Sequence, residues 1–318
     1  MDSLLYGLRA VAEPTRLRLL ALCARGEFTV SELTQILGHS QPRVSRHLKL
    51  LCDAGVLDRF REGTWVFYRL AERGPGAALS RALVGLVPED DPTFAGDRQR
   101  LASVIEARTE AAAAYFRANA ARWDEIRSLY VPESDVEDAL LDLCGDDGIG
   151  ALLDVGTGTG RILELFADKV DRAIGIDLSH EMLAIARTNL ERRGLRHCQV
   201  RHANMYSLPV PSESVDLVTF HQVLHFADEP AAAVAEAARV LRPGGRVAVV
   251  DFLPHELEFL RTEHAHRRLG FADDEVAAWF DANGLVGAPP RHLSGDPLTV
   301  GIWPAVKAAD AAVEGGPQ

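Results

Sequence analysis

Cysteine and methionine are scarce: the 318 residues hold four cysteines (Cys23, Cys52, Cys144 and Cys198) and three methionines. The cysteines are scattered and none stands at CxxC spacing, which excludes a disulfide-stapled secreted scaffold and a cysteine-built zinc ribbon. Reduced thiols in a cytoplasm fit better, and a cytoplasmic protein is expected. Long apolar runs are also missing, since none approaches the ~20 residues of a membrane span. The chain opens Met1-Asp2-Ser3 and turns amphipathic without a basic n-region or an apolar h-region, so no secretion signal is expected. What remains is an ordinary globular composition, 47% hydrophobic and 25% charged, at a length that suits two domains and a connector.

Charge is spread unevenly. Residues 1–75 carry 11 Lys/Arg against 8 Asp/Glu, a balance of +3, whereas the other 243 carry 23 against 38, a balance of −15. This is consistent with nucleic-acid contact confined to the front of the chain, although surface scatter would give similar figures.

An amphipathic stretch over 4–22 is broken at Glu13-Pro14-Thr15-Arg16, and the short extended link Gly26–Val30 follows. Ser31 stands where a helix N-cap belongs, and Val30, Leu33, Ile36 and Leu37 form an apolar stripe behind it. After the turn Gly38-His39-Ser40 a second helix opens at Gln41-Pro42. There Val44, Leu48 and Leu51 face inward, while Gln41, Arg43, Ser45, Arg46 and Lys49 remain outside. Residues 56–60 and 65–70 alternate as two strands of a hairpin carrying Arg59 and Arg61. Two helices, a basic outer face and a hairpin in this order predict a winged helix-turn-helix whose second helix enters the major groove.

The segment SELTQILGHSQPRVSRHLKLLCDAGVLDRFREGTWVFYRL, with AEPTRLRLL upstream, resembles the ArsR/SmtB winged-helix repressors over about residues 4–72. The resemblance implies a homodimer on an inverted-repeat DNA operator, with Gln41, Arg43, Ser45, Arg46 and His47 in the reading helix; Lys49 shares that helix's outer face, and the hairpin would place Arg59 and Arg61 near the DNA backbone. Metal sensing is not implied. Thr34 and Ile36 replace the Cys-x-Cys of metalloid-sensing members, and the last helix, near 77–86, lacks any His, Asp, Glu or Cys. Cys23 and Cys52 fall on apolar helix sides, as core cysteines do.

Pro88–Pro92 reads as a boundary loop, and residues 97–129 as an Ala-rich helix ended by Pro132. The expected division is 1–87 for the DNA-binding domain, 88–134 for a helical connector, and 135–318 for the second domain. Within the connector, YFRANAARWDEIRSLY resembles the lead-in helix of SAM-dependent methyltransferases, which implies a lid bearing Tyr115, Phe116 and Trp123; a rigid spacer is the plainer alternative.

Residues 151–155 form a short buried strand, and Gly156-Thr157-Gly158-Thr159-Gly160 turns it into a helix. The pattern is Asp-x-Gly-x-Gly-x-Gly with Asp154 ahead of the glycines, whereas a dinucleotide fingerprint would need glycine at Arg161. Asp177 closes the next strand, 173–176, where an acid can accept both ribose hydroxyls. Strands at 200–203, 215–220 and 246–251 follow, then a helix over 273–283 and a closing antiparallel hairpin of 291–294 with 298–305. Together 151–252 resembles class I, UbiE-like small-molecule methyltransferases, an α/β Rossmann-like fold. The resemblance implies S-adenosyl-L-methionine (SAM) as cofactor, held by Asp154, Gly156, Thr157, Gly158, Gly160, Asp177, Leu178, Asn204, Met205 and His221. Asn204 departs from the acid that would accept from the adenine amino group, though an amide can still accept one hydrogen bond.

No catalytic residue stands out. Candidates on the acceptor side are Tyr115, Trp123, His225, His255, His264 and His266. His255 and His266 are expected on one face of a helix, with His264 near Asp251; the cluster is either an acceptor or metal site, or a solvated helix with incidental histidines. Two cysteines in unlike contexts, Cys144 and Cys198, argue against arsenite as acceptor. Three readings stay open: a repressor that senses SAM or S-adenosylhomocysteine, a bifunctional regulator that methylates a small molecule, and a methyltransferase whose winged helix only dimerises.

Overall fold

The structure, a computed structural model, describes residues 2–62, 65–71, 74–88, 90–119, 132–144 and 149–309. Trp123 and the rest of 120–131 lie outside the described residues, as does the Tyr115 side chain. The chain divides into two compact units, 1–111 and 112–318. The first therefore takes in the opening part of the segment read as a connector.

In the first unit α1 (Asp2–Val11) and α2 (Pro14–Cys23) are separated at Pro14, which sits in the first turn of α2 because its missing N–H costs nothing there. β1 (Phe28–Thr29) leads into α3 (Val30–Leu37). The N-cap of α3 is Thr29 and not Ser31: Glu32 Oε2 accepts from the Thr29 N–H at 2.8 Å, and Thr29 Oγ1 accepts from the Glu32 N–H at 3.4 Å. This reciprocal box starts the helix two residues earlier because Thr29 is already held extended by pairing with Phe67. Gly38, at φ +66, ends α3 in the left-handed conformation, and α4 (Gln41–Asp53) follows. β2 (Leu57–Glu62) and β3 (Trp65–Leu70) form the hairpin, giving a sheet of order β1-β3-β2. α5 (Pro75–Val84) and the first half of α6 (Pro92–Asn119) close the unit, and Leu101 and Val104 of α6 join Leu19, Leu33, Leu48 and Leu51 in its core.

The second unit contains α7 (Glu133–Cys144), β4 (Ile149–Val155), α8 (Arg161–Phe166), β5 (Val170–Asp177), α9 (His180–Arg192), β6 (Cys198–His202) and β7 (Val215–His221). It continues with α10 (Pro230–Val240), β8 (Leu241–Phe252), α11 (Phe259–Glu263), α12 (Asp273–Ala282), β9 (Leu285–Gly287), β10 (Arg291–Ser294) and β11 (Thr299–Lys307). The sheet order is β10-β11-β8-β7-β4-β5-β6, with β9 also on β11. β6, β5, β4, β7 and β8 run parallel, and β11 is antiparallel to β8. Alternate residues of β4 serve opposite cores, Leu152 on one face and Leu153 with Val155 on the other. Strand order reverses around β4, whose neighbours are β5 and β7. The carboxyl end of β4 is thus the switch point where such sheets bind ligands, and the glycine turn stands there.

The segment 255–266 is not one helix. Only Phe259–Glu263 is helical, and the chain on either side is pinned by non-local bonds, His255 N–H to Leu269 O and His266 N–H to Leu260 O, both at 3.0 Å. The His264 ring meets that of Phe259 edge-on, with centroids 5.9 Å apart.

Candidate functional site

Val44, Leu48 and Leu51 root α4 in the core, which turns Gln41, Arg43, Arg46 and Lys49 to solvent and leaves Ser45 half-buried. Arg59 and Arg61 are exposed on β2. His47 departs from this face: its Nδ1 lies 3.7 Å from Glu13 Oε2, and burial pushes its pKa down against the pull of that carboxylate. Because Glu13 also caps α2 by accepting from the Arg16 N–H, His47 belongs to the α2–α4 joint more than to the outer surface. Sequence reasoning missed Arg69, whose guanidinium lies 5.0 Å from the centre of the Phe60 ring and pairs with Glu27 at 3.1 Å, fixing the root of the hairpin. Burial raises the Cys23 thiol far above its usual range and Cys52 to about 11, so both are protonated at neutral pH and poor metal ligands.

The second site gathers at the carboxyl ends of β4, β5 and β7. Gly156 and Gly158 adopt φ +74 and +53, and a Cβ on Gly156 would meet Val223 at 2.2 Å. The Gly156 and Thr157 N–H groups both bond Ile176 O at 2.8 Å, which draws the turn onto the end of β5. Asp177 completes that link: Oδ2 accepts from the Gly158 N–H at 2.9 Å and Oδ1 from the Ser179 N–H at 2.8 Å. Partial burial pushes its pKa up, opposed by these donors. A carboxylate has about four lone-pair sites, so acceptor capacity remains for a hydroxyl donor. Leu178 is exposed beside it, and Met205 is half-buried. Asp154 is buried, and its Oδ1 accepts from the Thr219 hydroxyl at 2.7 Å. Asn204 uses its amide oxygen on the Tyr206 N–H at 3.0 Å, so one acceptor position is already occupied. His221 is buried at the end of β7.

Two groupings here were not foreseen. His180 and His202 stack at 4.1 Å, with His202 Nε2 3.0 Å from Leu178 O, placing an imidazole pair beside the acid. Tyr206 reaches the start of α10, where its hydroxyl accepts from the Asp228 and Glu229 N–H groups at 2.9 and 3.1 Å, and burial raises its pKa to about 12. A Tyr three residues before Pro209 carries no sequence signal for such a reach.

On the acceptor side the structure brings three of the predicted histidines together. His225 Nδ1 is 2.7 Å from Oδ1 of Asp251, a fully buried carboxylate that also accepts from the N–H groups of His225 and Phe252. That carboxylate fixes Nδ1 as the protonated nitrogen and leaves Nε2 as the basic one. His266 stacks on His225 at 4.0 Å, and Phe226 and Phe252 flank the pair. His255 joins through an edge contact with Phe252, and Phe116 of α6 meets the edge of Phe226 at 4.8 Å. Burial pushes His255 down to about 4 and His266 well below its ordinary value. Among the described residues no group of three His, Cys, Asp or Glu gathers to hold a metal ion.

Residues 13–59 match the family described as bacterial regulatory protein, arsR family, and residues 153–249 match that described as methyltransferase domain. The arsenic resistance transcriptional regulator ArsR1 of Pseudomonas putida is 41% identical over 99 residues, 31% of this chain and 77% of that protein. A phosphatidylethanolamine N-methyltransferase of Cereibacter sphaeroides is 41% identical over 103 residues, 32% of this chain and 50% of that protein. This chain spans half or less of the length of the first methyltransferase relatives it matches. Among solved structures, geranyl diphosphate C-methyltransferase from Streptomyces coelicolor, in complex with Mg2+, geranyl diphosphate and S-adenosyl-L-homocysteine, aligns over 55% of this chain and 78% of that one. Its TM-score is 0.50 at 17% identity, a likeness of fold alone. Among the described residues no helix is long and apolar enough to cross a membrane.

Proposed function

Since the chain belongs to the arsR family of bacterial regulatory proteins and carries a methyltransferase domain, we propose that it is a DNA-binding repressor whose second domain binds SAM and methylates a small molecule. The observation that carries this reading is one polypeptide holding both a solvent-facing basic helix, α4, and a glycine turn tied to Asp177. A winged helix kept for dimerisation alone has no use for four exposed polar side chains along α4.

The reading helix contacts the operator through Gln41, Arg43, Ser45, Arg46 and Lys49, with Arg59 and Arg61 on phosphates. A second copy supplies the other half-site. Leu4, Leu5, Tyr6 and Leu8, exposed on α1, are the apolar surface that such a partner would cover. In the second domain the residues fit the cofactor. Asp177 has lone pairs for a ribose diol, Leu178 offers an apolar plane beside it, and the glycine backbone at 156–158 permits close approach. SAM supplies an electrophilic methyl group when bound. His225, held by Asp251, accepts the proton of the acceptor's hydroxyl or amine through Nε2, and the buried carboxylate steadies the resulting imidazolium. His266 and the surrounding phenylalanines exclude water from that step.

Calorimetry against SAM and mobility shift on the protein's own promoter test the two halves. We expect saturable SAM binding that Asp177→Ala weakens ~10-fold or more, by removing charge-assisted hydrogen bonds. Arg46→Ala should cost ~1–3 kcal/mol of specific DNA binding, whereas Arg61→Ala should mainly flatten its salt dependence. Wild-type protein that ignores SAM refutes the cofactor half; wild-type protein that ignores the promoter refutes the DNA half.

A further inference from the structure

We propose that the first unit holds a small organic anion with an apolar body, such as an aromatic carboxylate, between α2 and α6, and that its binding releases the last turn of α3.

A cavity of about 350 Å³ lies in that unit, away from the glycine turn, lined by Arg18, Arg25, Arg98, Asp97, Val87 and Phe94 among others. Its volume is at the lower end of small-molecule sites. Arg18 and Arg25 bring two guanidinium groups against the single carboxylate of Asp97, so the lining favours an anion, while Val87 and Phe94 suit an apolar body.

The one carboxylate is fully engaged. Asp97 is buried; its Oδ1 and Oδ2 accept from Arg18 Nη2 and Nε, each at 2.6 Å, and Oδ1 also accepts from Arg100. Both arginines donate onward to the last turn of α3, Arg18 to Leu37 O at 3.4 Å and Arg100 to Ile36 O. Asp97 thus clamps α6 to the end of α3, and Gly38 then turns the chain into α4. Arg18 belongs to both structures, the cavity wall and the clamp. An incoming carboxylate offers it a second bidentate partner, because guanidinium and carboxylate match in geometry. Once Arg18 shifts toward the ligand, the bond to Leu37 O is lost and the α3–α4 turn loosens. Operator affinity falls as a result.

The test uses the full chain with sodium benzoate as probe and phenyl phosphate as a second anion. Calorimetry should show saturable binding, and hydrogen exchange should quicken at the Gly38 and His39 N–H groups, both bonded to Thr34 O. Fluorescence anisotropy should show the operator bound at least ~5-fold more weakly with benzoate present. Arg25→Ala should reduce benzoate affinity ~5-fold or more while leaving operator affinity without benzoate unchanged, since Arg25 lies in neither the clamp nor the reading helix. Val87→Trp, which fills the cavity from a loop, should block binding without removing a charge. The anisotropy readout rests on the DNA-binding reading above, whereas calorimetry and exchange do not. A protein that binds benzoate and loosens at Gly38, yet binds no operator, refutes that reading and keeps this one. Absence of saturable binding of either anion up to ~10 mM overturns the proposal. So does binding that both variants leave intact, or binding without faster exchange at Gly38.

Discussion

Burial of imidazoles at the carboxyl edge of β8 makes stability depend on acid. His255 titrates near 4 and His266 well below its ordinary value, both held down first by burial and then by the neighbouring His225. In the unfolded chain both return to about 6.5. Both pKa values are depressed in the fold, so their contribution is complete above about pH 6.5 and is lost as pH falls from there towards 4. A fully shielded imidazole would lose ~1.4 kcal/mol per pH unit across that window, and partly exposed His255 will lose less. We expect the thermal midpoint to drop over pH 6.5–4 and His255→Gln to flatten the drop; an equal slope in wild type and variant would contradict the burial argument. Little of this was legible beforehand. The histidines could be picked out as a group, but their partners come from the segment after β7, from β8 and from the loop after α11, and a helical register over 255–266 pointed them the wrong way. Ala265 at φ +56 and the His255–Leu269 pairing break that register through tertiary contacts that no local periodicity encodes.

Elements with a covalent or conformational signal were the readable ones. Pro14, Pro42 and Gly38 mark the limits of α2, α3 and α4, and the antiparallel β10–β11 hairpin closes the sheet where alternation places it. The start of α3 was misplaced for a definable reason: Thr-x-x-Glu at 29–32 was present, but the pairing of β1 with β3 that holds Thr29 extended is long-range. Removing the hydroxyl should therefore unsettle the helix that supports α4. Thr29→Ala is expected to lower unfolding free energy by ~1 kcal/mol, with Thr29→Asp close to wild type, as chemical denaturation would measure. If Thr29→Ala is neutral while Ser31→Ala destabilises, the cap assignment is wrong. β9 escaped notice because a three-residue strand pairing only with β11 has too short a pattern to register.

At the scale of the whole molecule, one helix passes through both compact units. α6 contributes Leu101 and Val104 to the core of the first and carries Phe116 to the edge of Phe226, next to His225, in the second. The Asp97 clamp sits in its opening turns. Occupancy around Phe226 and the hold on α3 both involve residues of α6, Phe116 in the one case and Asp97 with Arg100 in the other. We predict that SAM and S-adenosylhomocysteine change operator affinity unequally, within the ~5- to 150-fold range usual for coupled sites. The inequality follows from charge: the sulfonium is lost on methyl transfer, so the two ligands present different electrostatics to the aromatic and imidazole rings around His225. Linkage requires operator DNA to shift the affinity for each ligand by the same factor, which calorimetry with and without a promoter duplex would measure independently of anisotropy. Phe116→Ala should shrink the coupling while leaving each separate affinity within ~2-fold, because it severs the helix from the rings without touching Asp177 or α4. Operator affinities that stay within twofold across apo, SAM and S-adenosylhomocysteine forms would mean that α6 ties the units together without passing any free energy between them.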